Sequence, residues 1–549
     1  MIASLIAMTV LSLTQAGAPV INVDVKDGEA ISGERHFRVT VDSKSPITQV
    51  EFYVGSDLRD SDTSTPYEFK LDTLAEDDGD LKVTFAAYTT DGKSTKKPMT
   101  LKIDNGVSKG ADFHVAAGEE FLRNSKWDDA ITSGRIALKA KKNYNPARMV
   151  LARAYLGKDI LDRAQKFAED VVADDPKNLP ALDLVAAINL KRAFNTYNRG
   201  GNAEDTQKVI AEALKAAVDS RRKTLDYQVD NFGAVTDQNR LKYADLAMAA
   251  GRFSLVPPVL EKQFSEDISN VAIGNRIAFA DIKMGRFADA RATLKNLSKK
   301  NAMDAYSNAL LSVIETEAGN KGASDDAMKE AVLSDSEDLG VRTAQAYIAL
   351  KNGNNSVLGK LSSDLARDQG QRTEINYFLS ALTNRLQQFE DSRRYFERAV
   401  LSEPANADMY VERGNESVHV SIFGGLAKKD ADVQLANAKI MYETALAAQP
   451  NSYQALAGMS IVSLLQNNVK DAVKYGEASI KANGNYAGAY YAASAAYAAA
   501  RMVGEGQAAS LKAGALDKPN LEGREVPDGK AAFRYFSTFG RTLVMTPPK

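Results

Sequence analysis

The chain has 549 residues, beyond the size at which one hydrophobic core usually keeps growing, so more than one structural unit is expected. It carries 69 Lys and Arg against 71 Asp and Glu, with 44% hydrophobic residues; that balance excludes wholesale disorder and offers no basic face for nucleic acid. Cysteine is absent, which removes disulfides, thiol nucleophiles, thiolate metal sites and a lipid-bearing cysteine anchor.

Ile2 to Leu13 is an apolar run followed by the small residues Ala16-Gly17-Ala18, the pattern of a signal peptide over residues 1–18 with cleavage after Ala16. A bilayer span takes ~20 apolar residues, so no stable membrane span is expected. The chain is expected to be exported: periplasmic, cell-surface or secreted.

From Pro19 to about Asp104 apolar residues alternate with polar ones, as in Phe37-Arg38-Val39-Thr40-Val41 and Leu81-Lys82-Val83-Thr84-Phe85, which predicts half-buried antiparallel strands. Asp27-Gly28, Ser32-Gly33, Asp78-Gly79 and Asp91-Gly92 supply turns at sandwich spacing. The strand Val50-Glu51-Phe52-Tyr53-Val54, the segment Pro66-Tyr67-Glu68-Phe69-Lys70-Leu71-Asp72-Thr73 and the closing Ile103-Asp104-Asn105 resemble bacterial immunoglobulin-like domains. That resemblance implies a β-sandwich over 19–105, a spacer or adhesive module with a cell-surface or glycan contact. The acidic stretches Asp57–Asp62 and Glu76–Asp80 could offer oxygen ligands to Ca²⁺, but neither has EF-hand spacing, and both are read as solvated turns.

After a linker at 106–110 the period becomes helical and the sequence repeats. Gly251-Arg252-Phe253 recurs 34 residues later as Gly285-Arg286-Phe287, and the interval continues to Gly319 and Gly353. The eighth residues of successive units are small: Gly118, Ala152, Ala244, Ala278, Ser312, Ala346, Ser380, Ser460 and Ser494, which lets paired helices approach closely. Asp175-Pro176, Glu403-Pro404 and Gln449-Pro450 stop helices where units should end. This pattern resembles the tetratricopeptide repeat family and implies an all-α superhelical solenoid over 111–520. About eleven units begin near 111, 145, 179, 237, 271, 305, 339, 373, 407, 453 and 487, with insertions near 195–236 and 423–433. The tail 521–549 is expected to cap the last helix pair through Phe533, Tyr535, Phe536 and Phe539.

His36, His114 and His419 are the three histidines, and they start in separate modules, so no metal site or catalytic triad is expected from them. Gly504-x-Gly506-x-x-Ala509 matches a relaxed dinucleotide fingerprint but follows an alanine-rich helix rather than a strand, and is placed at a helix-to-helix turn. No cofactor is implied.

In the tetratricopeptide family, positions two, five, nine, twelve and thirteen of the first helix meet the ligand. The resemblance therefore implies groove contacts at Met149, Arg153 and Leu156 in the second unit, Tyr377, Asn384 and Arg385 in the unit at Thr373, and Tyr491 and Ala495 in the last. Relatives that grip a carboxylate use Lys and Asn where this chain has Val115 and Glu119, so that mode is not expected. The reading is a non-catalytic protein-binding scaffold, holding a peptide or helix in the concave groove. The alternative is a structural or adhesion component acting through the β-domain; a repeat-scaffolded hydrolase ranks below both, because no convergent titratable set appears.

Overall fold

The computed structural model describes residues 18–198, 204–352, 354–369, 373–517 and 547–548. The expected signal peptide, apart from Ala18, and the aromatic residues Phe533, Tyr535, Phe536 and Phe539 lie outside the described residues. The chain forms two compact units, Met1–Asp174 and Asp175–Lys549.

The first unit opens with eight strands: β1 Val20–Val23, β2 Ala30–Ile31, β3 Glu34–Asp42, β4 Ile47–Val54, β5 Asp57–Asp62, β6 Tyr67–Asp72, β7 Gly79–Thr89 and β8 Ser94–Ile103. They form two sheets, ordered β1-β3-β6 and β2-β8-β7-β4-β5. Alternation decides the faces: in β6, Tyr67, Phe69 and Leu71 are buried while Glu68 and Lys70 point out, Lys70 pairing with Glu34 at 2.5 Å. The core between the sheets is an aromatic cluster of Phe37, Phe52, Phe69 and Phe85, with ring centroids 5.0–5.9 Å apart.

One reading is corrected here. Asp57–Asp62 is not a turn but strand β5, antiparallel to β4 at the sheet edge. Its backbone is satisfied by pairing, and its exposed charges deter a further strand from adding to that edge.

Four helices follow in the same unit: α1 Ala111–Arg123, α2 Trp127–Ala140, α3 Asn145–Gly157 and α4 Leu161–Asp174. The β-sandwich is fastened to α2 rather than tethered loosely. Arg135 pairs with Asp72, and Lys139 donates to the carbonyls of Leu74 and Glu76. At this joint Asn105 is only 4% exposed. Its carbonyl accepts from Gly33 N–H at 3.3 Å and lies 2.7 Å from the Thr73 hydroxyl, and its amide donates to Thr73 O at 3.1 Å and Asp78 Oδ1 at 3.0 Å. Every hydrogen-bonding position of that amide is used. Asn105→Ala is expected to cost about 2 kcal/mol, since it strands buried partners on both sides. The lone Trp127, at the first residue of α2, reports this unit's unfolding by fluorescence without signal from the second.

The second unit is helical. It begins with α5 Leu179–Asn198, α6 Glu204–Asp230, α7 Arg240–Ala249 and α8 Val256–Glu266. Next come α9 Val271–Lys283, α10 Phe287–Lys299, α11 Ala305–Glu317, α12 Lys321–Ser334, α13 Leu339–Asn352 and α14 Asn355–Gln369. The series ends with α15 Thr373–Arg385, α16 Phe389–Ser402, α17 Ala407–Phe423, α18 Lys428–Ala448, α19 Tyr453–Leu465, α20 Val469–Ala482, α21 Ala487–Ala499 and α22 Val503–Leu516. Consecutive helices pack as hairpins, and α9, α11, α13, α15 and α17 begin at intervals of 34. The two irregular pairs absorb their extra residues as helix: α5 and α6 run to 20 and 27 residues, α17 and α18 to 17 and 21.

Two local devices repeat through both units. The residue turning the first helix into the second is left-handed, with φ of 55–74° at Ser125, Asp159, Gly251, Gly285, Gly319, Gln387, Asn467 and Arg501. The small eighth residue does more than allow close approach where it is serine. Ser312, Ser380, Ser460 and Ser494 each donate a buried hydrogen bond of 2.7–3.0 Å to the carbonyl twelve residues on, across the hairpin.

The second unit also closes on itself. One continuous hydrophobic cluster runs from Ala186 to Ala513. Lys283 of α9 pairs with Asp408 of α17, Arg222 of α6 donates to Ala447 O of α18 at 3.0 Å, and Gly285 abuts Asn483 just beyond α20. Repeats far apart in sequence thus touch through their inner faces.

Candidate functional site

Where those inner faces do not meet, a cavity of about 440 Å³ remains. Its walls come from α6 and α7 with the turn after them (Leu225, Asp245, Met248, Ala249, Phe253), from α9 (Phe279, Lys283), and from α15 to α18 (Tyr377, Phe378, Ala405, Asp408, Met409, Ala448). The dipeptide Pro547–Pro548 lines it as well, Pro548 buried and Pro547 exposed.

Helical periodicity explains the wall. Asp245, Met248 and Ala249 are positions nine, twelve and thirteen of the unit at Asp237, and Phe279 and Lys283 are positions nine and thirteen of the unit at Val271, so they share one face of each first helix. The charges are internally matched. Lys283 pairs with Asp408 and sits 5.7 Å from the Phe253 ring; Arg221 pairs with Asp183 at 2.9 Å, and Asp245 with Arg276 at 2.7 Å. What remains to a ligand is chiefly aromatic and aliphatic surface.

The residues implied by the repeat pattern fall in different places. Tyr377 lines the cavity, Asn384 is half-buried on the same helix, and the side chain of Arg385 falls outside the described set. Met149, Arg153 and Leu156 lie half-buried on α3, where the Arg153 guanidinium reaches Glu119 at 3.0 Å; both are position nine of neighbouring units. Tyr491 and Ala495 are each 1% exposed within the core. Met248, Phe279, Lys283 and Asp408 were not singled out from sequence, although the same positional rule applied to the units at Asp237, Val271 and Ala407 reaches all four.

His36 is exposed on β3 beside Glu34, His114 Nε2 lies 2.7 Å from Gly106 O, and His419 stacks near Phe423 on α17. Gly504-x-Gly506-x-x-Ala509 lies inside α22 rather than at the turn before it, and Gly506 O accepts from Ser494. Among the described residues no group of three or more His, Asp or Glu could hold a metal ion, and no helix is long and apolar enough to cross a membrane.

Next to the cavity, Asp281 is 3% exposed. Burial pushes its carboxyl up to about 6, against the pull of Arg286 at 2.5 Å, with Asp289 and Glu261 adding to the rise. The folded state therefore holds a proton between about pH 4 and pH 6 that the unfolded chain has released, so this group makes stability fall as pH rises through that window. Asp281→Asn is expected to flatten that segment of the stability profile and to add on the order of 2 kcal/mol at pH 7, read from urea titrations across pH 4–7.5.

Residues 19–107 match the bacterial Ig domain family. No curated protein matches the sequence. Among solved structures, the fibronectin(III)-like modules of Clostridium thermocellum CbhA are similar at 27% identity and a TM-score of 0.14, over 15% of this chain and 94% of that one. Yeast Tom70 is similar at 14% identity and a TM-score of 0.33, covering 78% of this chain and 94% of that one. The APC/C hetero-tetramer Cut9–Hcn1 is similar at 12% identity and a TM-score of 0.39, covering 79% and 85%. The chain thus joins an N-terminal bacterial Ig-like sandwich to a solenoid of tetratricopeptide-type helical hairpins.

Proposed function

We propose that this protein is a non-catalytic scaffold acting on the exported side of a bacterial cell, where it holds an extended peptide segment of another protein in the cavity of its second unit. The observation that carries the reading is the cavity itself: a concave, aromatic-lined site whose charged members are already paired, suited to a chain segment rather than a charged metabolite. Tyr377 is the proposed anchor there, because a tyrosine ring concentrates binding energy at low entropic cost. Met149, Arg153 and Leu156 are proposed as a second contact on α3. The Ig-like domain serves as spacer or adds a surface contact, consistent with the places such domains usually occupy.

The test is cross-linking in the native envelope, comparing the unaltered protein with Tyr377→Ala, Arg153→Glu and Ala249→Trp. Ala249 is exposed at the cavity mouth, so its replacement by Trp fills the site from a position that folding does not need. Loss of a reproducible protein partner in Tyr377→Ala and Ala249→Trp supports the reading. Retention of the same partners by all three variants overturns it.

A further inference from the structure

The cavity is already lined by a piece of this chain. Pro547 and Pro548 lie against walls built from α6 to α9 and α15 to α18, and Pro548 is buried there. Asp517 closes α22, and 29 residues separate it from Pro547, a length that can reach ~100 Å when extended. The dipeptide is therefore not held at this site by a short leash.

Its chemistry suits the walls. A prolyl residue has no N–H, so burying it strands no donor, and its ring fixes φ, so little conformational entropy is lost on docking. Phe253, Phe279, Tyr377 and Phe378 supply flat apolar surface of the kind that takes polyproline segments. The pairing of Lys283 with Asp408 and of Asp245 with Arg276 leaves selection to shape rather than charge.

We propose that the cavity is a site for extended, proline-bearing peptides, and that Pro547–Pro548 is its resident ligand, which an incoming partner segment must displace. The proposal rests on the peptide-scaffold reading above and names the ligand class and its regulation. A tethered ligand competes at an effective concentration on the order of millimolar, so removing it should expose most of the cavity's affinity.

The probe is a fluorescent hexapeptide, Val-Met-Thr-Pro-Pro-Lys, copied from residues 544–549, with an Ala-Ala version as control; anisotropy is read on the full chain. The Pro547→Glu, Pro548→Glu double variant is expected to bind the proline peptide about ten-fold more tightly than the unaltered chain. Ala249→Trp or Ala405→Trp in that background should abolish binding, with melting temperatures confirming that both variants fold. Equal affinity of the two chains, equal binding of the Ala-Ala peptide, indifference to both cavity fillers, or no binding at all overturns the proposal. Cavity-dependent capture in the envelope without peptide binding would remove this inference alone. Peptide binding with cavity-independent capture would remove the scaffold reading alone.

Discussion

Asp408→Ala is expected to destabilise the second unit by about 3 kcal/mol, because it leaves the Lys283 ammonium without its carboxylate where both side chains are largely out of solvent, at 9% and 17% exposure. The pair joins residues 125 positions apart, so the loss falls on the contact that closes α9 against α17. A purely local surface pair would give ~0.5 kcal/mol. Replacing both partners at once, Lys283→Met with Asp408→Leu, should recover most of the loss, since no charge is then buried alone. Urea unfolding followed by circular dichroism separates the cases: a single variant within 0.5 kcal/mol of the unaltered protein would mean that the pair is solvated and the closure loose.

Gly458→Ala is expected to cost about 2–3 kcal/mol, the upper range for forcing a methyl group into a filled core. Gly414 of α17 and Gly458 of α19 both abut the fully buried ring of Tyr442, and a methyl group at Gly414 would sit 2.6 Å from that ring. The ring cannot retreat cheaply, because its hydroxyl donates to Asn415 Oδ1 at 2.7 Å and burial keeps the phenol neutral, well above its ordinary titration range. If the clash is the cause, Gly458→Ala should cost markedly less in a Tyr442→Leu background than in the unaltered one, a coupling that denaturant unfolding of the four proteins measures.

The repeat was legible because helical packing writes itself at fixed positions. A small residue is needed wherever two helices of a hairpin cross, and the crossings recur every 34 residues from Ala244 to Ser380. The hydrogen bond that serine adds at that position was not legible, since its acceptor is a backbone carbonyl that every residue possesses. Glycine at the hairpin turn was visible at Gly251, Gly285 and Gly319, yet the same left-handed turn at Gln387 and Arg501 carries no such mark. The β-sandwich followed from alternation, whereas β5 was hidden: an edge strand with no buried side needs no apolar residue, and Asp57–Asp62 has one leucine among charges and a serine.

The cavity was legible in part. Tyr377 was reached by repeat position, and Met248, Phe279 and Lys283 obey the same rule in units where it was not applied. What no periodicity could reveal is which units face each other. Curvature accumulates from small rotations at each hairpin, and the lengthened α5–α6 and α17–α18 pairs bring Arg222 to Ala447 across 225 residues. For the same reason Tyr491 occupies a groove position by count and a core position in space.

The absence of cysteine makes the self-closure of the second unit directly measurable. A side chain at Gly285 would begin 3.2 Å from Cγ of Asn483, within the range a disulfide can bridge. In the Gly285→Cys, Asn483→Cys chain, mild oxidation is predicted to give a nearly complete intramolecular disulfide, read as a two-proton mass loss and resistance of both thiols to maleimide. Two thiols that stay free and are both alkylated in the folded protein would contradict it, and the second unit would then be an open array without the enclosed cavity.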